Sequence, residues 1–251
     1  KKSQYYNPDS SAYCYIGMEK PNHDIVIVGW DDSYSADNFA TKPEQDGAFI
    51  CVNSWGDKFG EGGYFYVSYF DSNIGIRNIV YTVVEDKNNY DNIYQSDELG
   101  WTGKIGYNQD NAYFANVYTS KGDELLKSVG FYAIGEDTEY EVYFIEEFQG
   151  TESFNAKKLA AKGLLKSAGY YTIKLNDDLI MKKGKKYAVV VYIKTPNSVH
   201  PVAVECKTDV TMDAVIDDGE GYISANGRSW ERVEDTQNCN ICLKFYTDDM
   251  E

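Results

Sequence analysis

The chain has 251 residues and a mass of 28.5 kDa, room for one large domain or two ordinary ones at roughly 100–200 residues each. Its 43% hydrophobic and 15% aromatic residues are enough to bury a core and exclude the disordered class. The 24 Lys and Arg against 40 Asp and Glu leave a charge of −16, which repels phosphate backbones and argues against nucleic acid as a partner.

The N-terminal residues Lys1-Lys2-Ser3-Gln4-Tyr5-Tyr6 lack both the apolar stretch of a signal peptide and an initiator Met, so a processed or truncated product is expected. Nowhere does an apolar run reach the roughly 18–20 residues of a membrane span. Short runs of β-branched and aromatic residues, broken by Gly, Asn and Asp, predict strands over 24–29, 48–53 and 64–69,. From Glu85 to Gly103 the text turns polar and turn-forming, suited to a connection, and a boundary is placed near residue 87. Residues 1–84 carry 6 basic and 11 acidic groups and the remainder 18 and 29, so neither part looks like a steering surface for an anion.

Beyond the connection, strands are predicted over 112–119, 126–133, 140–145, 170–175, 186–193, 202–206 and 240–246,. Tyr187 to Tyr192 is apolar on both sides of the pleat, which predicts a central strand covered on both faces. Tyr140, Val142 and Phe144 alternate with Glu139 and Glu141, as in a strand with one wet face. Helical periodicity is scarce. The fold class is mainly β: residues 1–87 form one domain, and 88–251 a second with the turn-spaced short strands of a β-sandwich or jelly roll.

The five cysteines, Cys14, Cys51, Cys206, Cys239 and Cys242, are too few for a disulfide scaffold, and the odd number leaves at least one unpaired. Cys239-Asn240-Ile241-Cys242 has CxxC spacing, but it runs into strand-like sequence rather than opening a helix, no second CxxC occurs, and the chain has only 2 histidines. It reads as a core strand rather than a zinc or redox motif.

Chemistry concentrates in the first eighty residues. Asn22-His23-Asp24 leads into the apolar run Ile25 to Val28, and Cys51-Val52-Asn53-Ser54-Trp55-Gly56 ends another, followed by Gly60-Glu61-Gly62-Gly63-Tyr64. A thiolate nucleophile needs a neighbouring imidazolium that stabilises it and then protonates a leaving amine. An amide oxygen on the other ring N–H fixes tautomer and orientation without adding formal charge. Read singly, His23 could be structural and Asn53 a turn former. Taken together, these segments resemble the papain-like cysteine peptidases, which implies that residues 1–87 are the C-terminal, β-barrel half of a papain-like α+β catalytic domain, with His23 as general base and Asn53 as its orienter. In the same resemblance Trp55 shields their hydrogen bond and Asn22 supports the site. Val52, where that family often has Lys, and the long stretch 31–46 depart from the usual pattern.

The same resemblance puts the nucleophilic Cys about 130–150 residues before the His, whereas only 22 residues precede His23. Cys14 lies in Ser-Ala-Tyr-Cys-Tyr-Ile rather than a Gly-Cys-Trp helix start, and Cys51 is two residues from Asn53; both read as packing residues. The nucleophile and the oxyanion donors are therefore expected on a companion Cys-bearing segment outside this sequence. Asn89-Tyr90-Asp91-Asn92, Leu99-Gly100-Trp101, Ala112 to Tyr118, Tyr222-Ile223-Ser224 and Ser229-Trp230 resemble the lectin-like domain that follows papain-like catalytic domains in clostridial-type surface peptidases. The resemblance implies the C-terminal portion of a secreted or cell-surface cysteine endopeptidase acting on protein or peptide, inactive alone and requiring no cofactor. The alternative is a catalytically inactive remnant that binds a surface glycan or protein. Asp213, Asp217, Asp218 and Glu220 could offer oxygen ligands to calcium in the second domain, though not at EF-hand spacing. Trp101, Trp230 and Tyr222 could stack on a sugar, and His200 reads as structural.

Overall fold

The computed structural model describes residues 4–76, 78–216 and 219–250. Chain packing divides it into two compact units, Lys1–Tyr81 and Thr82–Glu251. The first holds β1 (Tyr6–Asn7), β2 (Ala12–Tyr13), β3 (Val26–Asp31), β4 (Ala48–Val52) and β5 (Tyr64–Ser68), in one sheet of order β1-β2-β5-β4-β3. All pairs are antiparallel except β2 with β5. This sheet is open, and among the described residues no closed barrel forms, so the barrel half expected from the sequence is represented by a five-stranded sheet with β3 at its edge. Alternation along β4 and β5 sends Ala48 into a small core with Ala12, Cys14 and Phe39. Cys51, Phe65 and Val67 fill a second one.

The second unit holds β6 (Asn92–Tyr94), β7 (Gly103–Ile105), β8 (Asn111–Thr119), β9 (Glu124–Ala133), β10 (Thr138–Ile145), β11 (Lys158–Leu165), β12 (Gly169–Met181), β13 (Lys186–Lys194), β14 (Val202–Cys206), β15 (Gly221–Ser224), β16 (Glu231–Arg232), the short helix α1 (Val233–Gln237), β17 (Cys239–Ile241) and β18 (Leu243–Asp249). They form sheets of order β11-β10-β13-β8-β15-β16, β12-β9-β18-β6 and β17-β14-β7. Phe114, Val142, Val189 and Val191 of the six-stranded sheet meet Leu126, Val129, Phe131 and Phe245 of the four-stranded one in the main core, the arrangement of a β-sandwich.

β13 lies inside its sheet, as its doubly apolar sequence requires,. Tyr187, Val189 and Val191 face the main core. Ala188 and Val190 face a second cluster built on Phe154, which sits in a 3-10 turn over Thr151–Ala156, with Phe148, Tyr222 and Trp230 around it. Trp230 and Tyr222 therefore pack against Phe154, at ring separations of 4.3 and 5.4 Å, rather than standing free as stacking platforms. Trp101 is 42% exposed beside Tyr132.

Nine of the ten predicted strands appear as single strands. The tenth, 240–246, is two strands in different sheets, split at Cys242. Among strands that the sequence reading did not predict, β11 is the longest. Its Lys158-Leu-Ala-Ala-Lys-Gly-Leu-Leu165 carries no β-branched residue, and its place comes from pairing with β10.

Candidate active site

Antiparallel pairing of β3 with β4 sets Val26 opposite Val52. Continuing that register past the strand ends brings position 23 opposite 55, so the entry to β3 and the exit from β4 converge at one end of the sheet. There His23 Nε2 lies 3.0 Å from Asn53 Oδ1. An amide oxygen can only accept, so Nε2 carries the proton and Nδ1 remains the free nitrogen of the neutral ring. Asn53 is 7% exposed, while His23 is exposed: the amide is enclosed and the imidazole faces outward. Trp55 stacks on the imidazole with centroids 5.0 Å apart and planes 25° from parallel.

The structure thus brings together three of the four candidate residues, His23, Asn53 and Trp55. Asn22 is exposed and, among the described residues, makes no hydrogen bond.

The loop from Asn53 to Tyr64 holds this geometry. Asn53 N–H donates to the Gly63 carbonyl at 3.1 Å, Gly63 N–H to Phe59 at 2.8 Å, and Glu61 N–H to Tyr64 at 2.8 Å. Two of its glycines are required by the backbone. At Gly60 φ is +58° and a Cβ would stand 2.1 Å from the Tyr64 carbonyl oxygen, and at Gly63 φ is +93°, a region L side chains rarely enter. Phe59, which the sequence reading passed over, meets Trp55 edge-on at 4.9 Å and Phe65 at 5.4 Å, so it links the indole over His23 to the core. The apolar position inside a Gly-rich loop was the available signal.

Neither cysteine of the first unit is poised as a nucleophile. Both are fully buried. Burial pushes the Cys14 thiol up, with Ser68 opposing the rise, and pushes Cys51 up to about 12. Cys51 packs with Phe65 and Val67.

In the second unit, Asp217 and Asp218 of the calcium candidates lie outside the described residues. Asp213 is exposed and Glu220 half-buried. Among the described residues no group of three or more His, Cys, Asp or Glu could hold a metal. His200 Nδ1 is buried without a partner among those residues. A cavity of about 300 Å³ opens on the six-stranded sheet between Glu139, Tyr140, Glu141, Lys162, Gly163 and Tyr192.

An enclosed amide that fixes one ring nitrogen and leaves the other free is what the resemblance to papain-like peptidases implies for a base and its orienter. Comparison with known proteins agrees with that class. Residues 2–84 match the papain family of cysteine proteases and residues 93–247 the lectin-like domain family. The chain belongs to the lectin-like domain family, and part of a papain family cysteine protease domain precedes that region.

Among solved structures, the clostridial cysteine protease Cwp84 after propeptide cleavage is similar, with 32% identity and a TM-score of 0.81 over 100% of this chain and 64% of that one. The cysteine protease and lectin-like domains of Cwp84, a surface layer associated protein of Clostridium difficile, give 30% identity and a TM-score of 0.79 over 100% and 57%. This chain spans less than two thirds of either. No curated protein sequence matches it.

Proposed function

We propose that the chain supplies the base and orienter of a secreted or cell-surface papain-type endopeptidase, with the nucleophilic thiol contributed by a companion segment. The observation that carries the reading is the His23 Nε2 to Asn53 Oδ1 contact at 3.0 Å, which reserves Nδ1 for a thiol. The thiolate attacks the scissile carbonyl carbon, and Nδ1–H of the imidazolium protonates the leaving amine. Nδ1 then takes a proton from the water that hydrolyses the thioester. Asn53 holds the ring throughout, and no cofactor enters.

The companion's place is suggested by the edge strand β3. There Val26, Val28 and Trp30 are 54%, 54% and 69% exposed, a set of bare apolar side chains that an isolated sheet edge would ordinarily avoid. The likeness to Cwp84, a surface layer associated protein, supports action at the cell surface. In this reading residues 88–251 form a domain that positions the enzyme on a glycan or protein and takes no part in bond cleavage. The Tyr- and carboxylate-lined cavity is its candidate contact.

The test is kcat/KM on peptide substrates for the chain reconstituted with the Cys-bearing segment. The chain alone should show no turnover. In the complex, His23→Ala should abolish activity, whereas Asn53→Ala should leave a measurable remainder, because Asn53 orients the ring and moves no proton. Near-wild-type turnover by His23→Ala would overturn the assignment.

A further inference from the structure

The CxxC spacing of Cys239 and Cys242 draws attention to the wrong pair. Cys206 ends β14, Cys239 opens β17, and the antiparallel register sets the two directly opposite each other. Opposed residues in such a ladder have Cα atoms about 4.5 or 5.5 Å apart, inside the roughly 4.4–6.8 Å that a disulfide spans. The two thiols are near enough to act on each other electrostatically, and both are free. Cys242 lies elsewhere, within electrostatic reach of the Asp97 carboxylate, which helps burial raise its thiol.

The surroundings hold Cys206 in place. Its N–H donates to Thr102 Oγ1 at 2.7 Å, and its carbonyl accepts from Thr211 Oγ1 at 2.6 Å. Its sulfur lies over Gly103, where a Cβ would stand 2.6 Å from it, so the glycine makes the room. Cys206 is partly exposed while Cys239 is fully buried, which gives a small reagent one sulfur to reach and keeps the second in reserve.

We propose that Cys206 and Cys239 are an oxidisable dithiol, closed into a cross-strand disulfide by exchange with a low-molecular-weight disulfide. Cys206 loses its proton and attacks one sulfur of the reagent. The reagent's S–S bond breaks, and one small thiolate leaves and takes up a proton. Cys239, deprotonated in turn, attacks the Cys206 sulfur of the mixed disulfide and expels the second small thiolate. Two protein thiols are oxidised and one small disulfide is reduced to two thiols. Burial holds Cys239 up at about 12 and raises Cys206 as well, so closure is slow near neutrality and faster in mild alkali. The bond ties the ends of the stretch 207–238, which carries β15, β16 and α1. The loss of freedom in the unfolded chain raises the melting midpoint by on the order of 10 °C.

The experiment incubates the full chain with oxidised glutathione in mild alkali, quenches with acid, and follows thiol titration, non-reducing peptide mapping and thermal unfolding. Free thiols should fall from the five of the untreated chain to three, one peptide pair should join Cys206 to Cys239, and the midpoint should rise and return with dithiothreitol. Cys239→Ser should stop at a glutathione adduct on Cys206, and Cys206→Ser should show no oxidant-dependent shift. Because the wild-type mapping needs neither variant, misfolding of one does not blunt the test. Five thiols remaining after prolonged oxidation, a glutathione adduct that never closes in the wild type, or a bond between Cys239 and Cys242 would each overturn the proposal. None of these outcomes depends on peptidase activity.

Discussion

Lys244→Met isolates the energetics of one enclosed carboxylate. The Asp97 side chain is 0% exposed, and Lys244 Nζ stands 2.8 Å from its Oδ1 with 14% of its own side chain exposed. The same ammonium donates to the Asp97 backbone carbonyl at 3.2 Å. Burial pushes the Asp97 carboxyl up from the usual range, and Lys244 opposes that rise. Met keeps the unbranched apolar stem and removes only the charge.

Stranding a buried ion costs about 3–5 kcal/mol, but proton uptake sets a ceiling. A carboxyl neutral in the folded state and ionised in the unfolded state costs about 1.36 kcal/mol for each pH unit above roughly 3.9, or about 4 kcal/mol at neutral pH. The expected loss at neutral pH is therefore about 3–4 kcal/mol. Its sign with pH follows from the same linkage. With the folded-state value raised above the unfolded one, the folded variant binds more protons between the two values, so its stability rises as pH falls.

Urea unfolding of variant and wild type, run in parallel from about pH 8 to about pH 5, should show the deficit narrowing by up to roughly 1.4 kcal/mol per unit. Adding Asp97→Asn should recover most of the loss, since the charge is then gone from both sides. A deficit under about 1 kcal/mol at neutral pH, or one that does not narrow on acidification, would refute the reasoning.

Three further substitutions probe other parts of the molecule. Asp71→Ala removes the acceptor for Tyr15 N–H at 2.7 Å and for Asn73 and Ile74 N–H at 2.8 and 2.9 Å; a loss of about 2–4 kcal/mol is expected, with faster amide exchange at those three positions. Phe154→Ala empties the centre of the outer cluster, where the ring is 0% exposed, and should lower the unfolding free energy by about 3–5 kcal/mol with an unchanged denaturant slope. Asn116→Leu should cost about 2–4 kcal/mol and speed exchange around Cys242, because it withdraws the donor held by two buried carbonyls,. Equality with wild type in chemical unfolding would contradict each.

What the sequence displayed depended on range. His23, Asn53 and Trp55 were legible because their chemistry demands particular residue types at the ends of two apolar runs, and hairpin pairing of β3 with β4 then brings those ends together. Phe59 was only half legible: an aromatic in a glycine-rich loop marks a packing position without saying that it supports the indole. β13 declared its central place by being apolar on both faces, whereas β11 sits at the sheet edge with Lys, Ala and Gly and acquires strand form only from β10. The pairing of Cys206 with Cys239 was hidden behind the shorter CxxC spacing for the same reason: register is a property of two strands.

The split at Cys242 shows how such a feature arises. From Asn240 to Tyr246 the sequence has uninterrupted strand character, and nothing local breaks it. The break is imposed from β8, where Asn116 is fully buried and donates through Nδ2 to the carbonyls of Leu243 at 2.8 Å and Ile241 at 3.2 Å, one on each side of Cys242. Tyr118 OH adds a second donor to Leu243 at 3.2 Å, and Cys242 N–H turns away to the Ala203 carbonyl at 3.2 Å. A buried carbonyl must find a donor. Here donors from the six-stranded sheet satisfy carbonyls on both sides of the split, which lets Cys239–Ile241 pair with β14 while Leu243–Asp249 pairs with β9 and β6. Apolar packing alone is non-directional and would accept one continuous strand. The directional demand of an amide placed 126 positions earlier makes the chain change sheets, and that change sets Cys239 opposite Cys206.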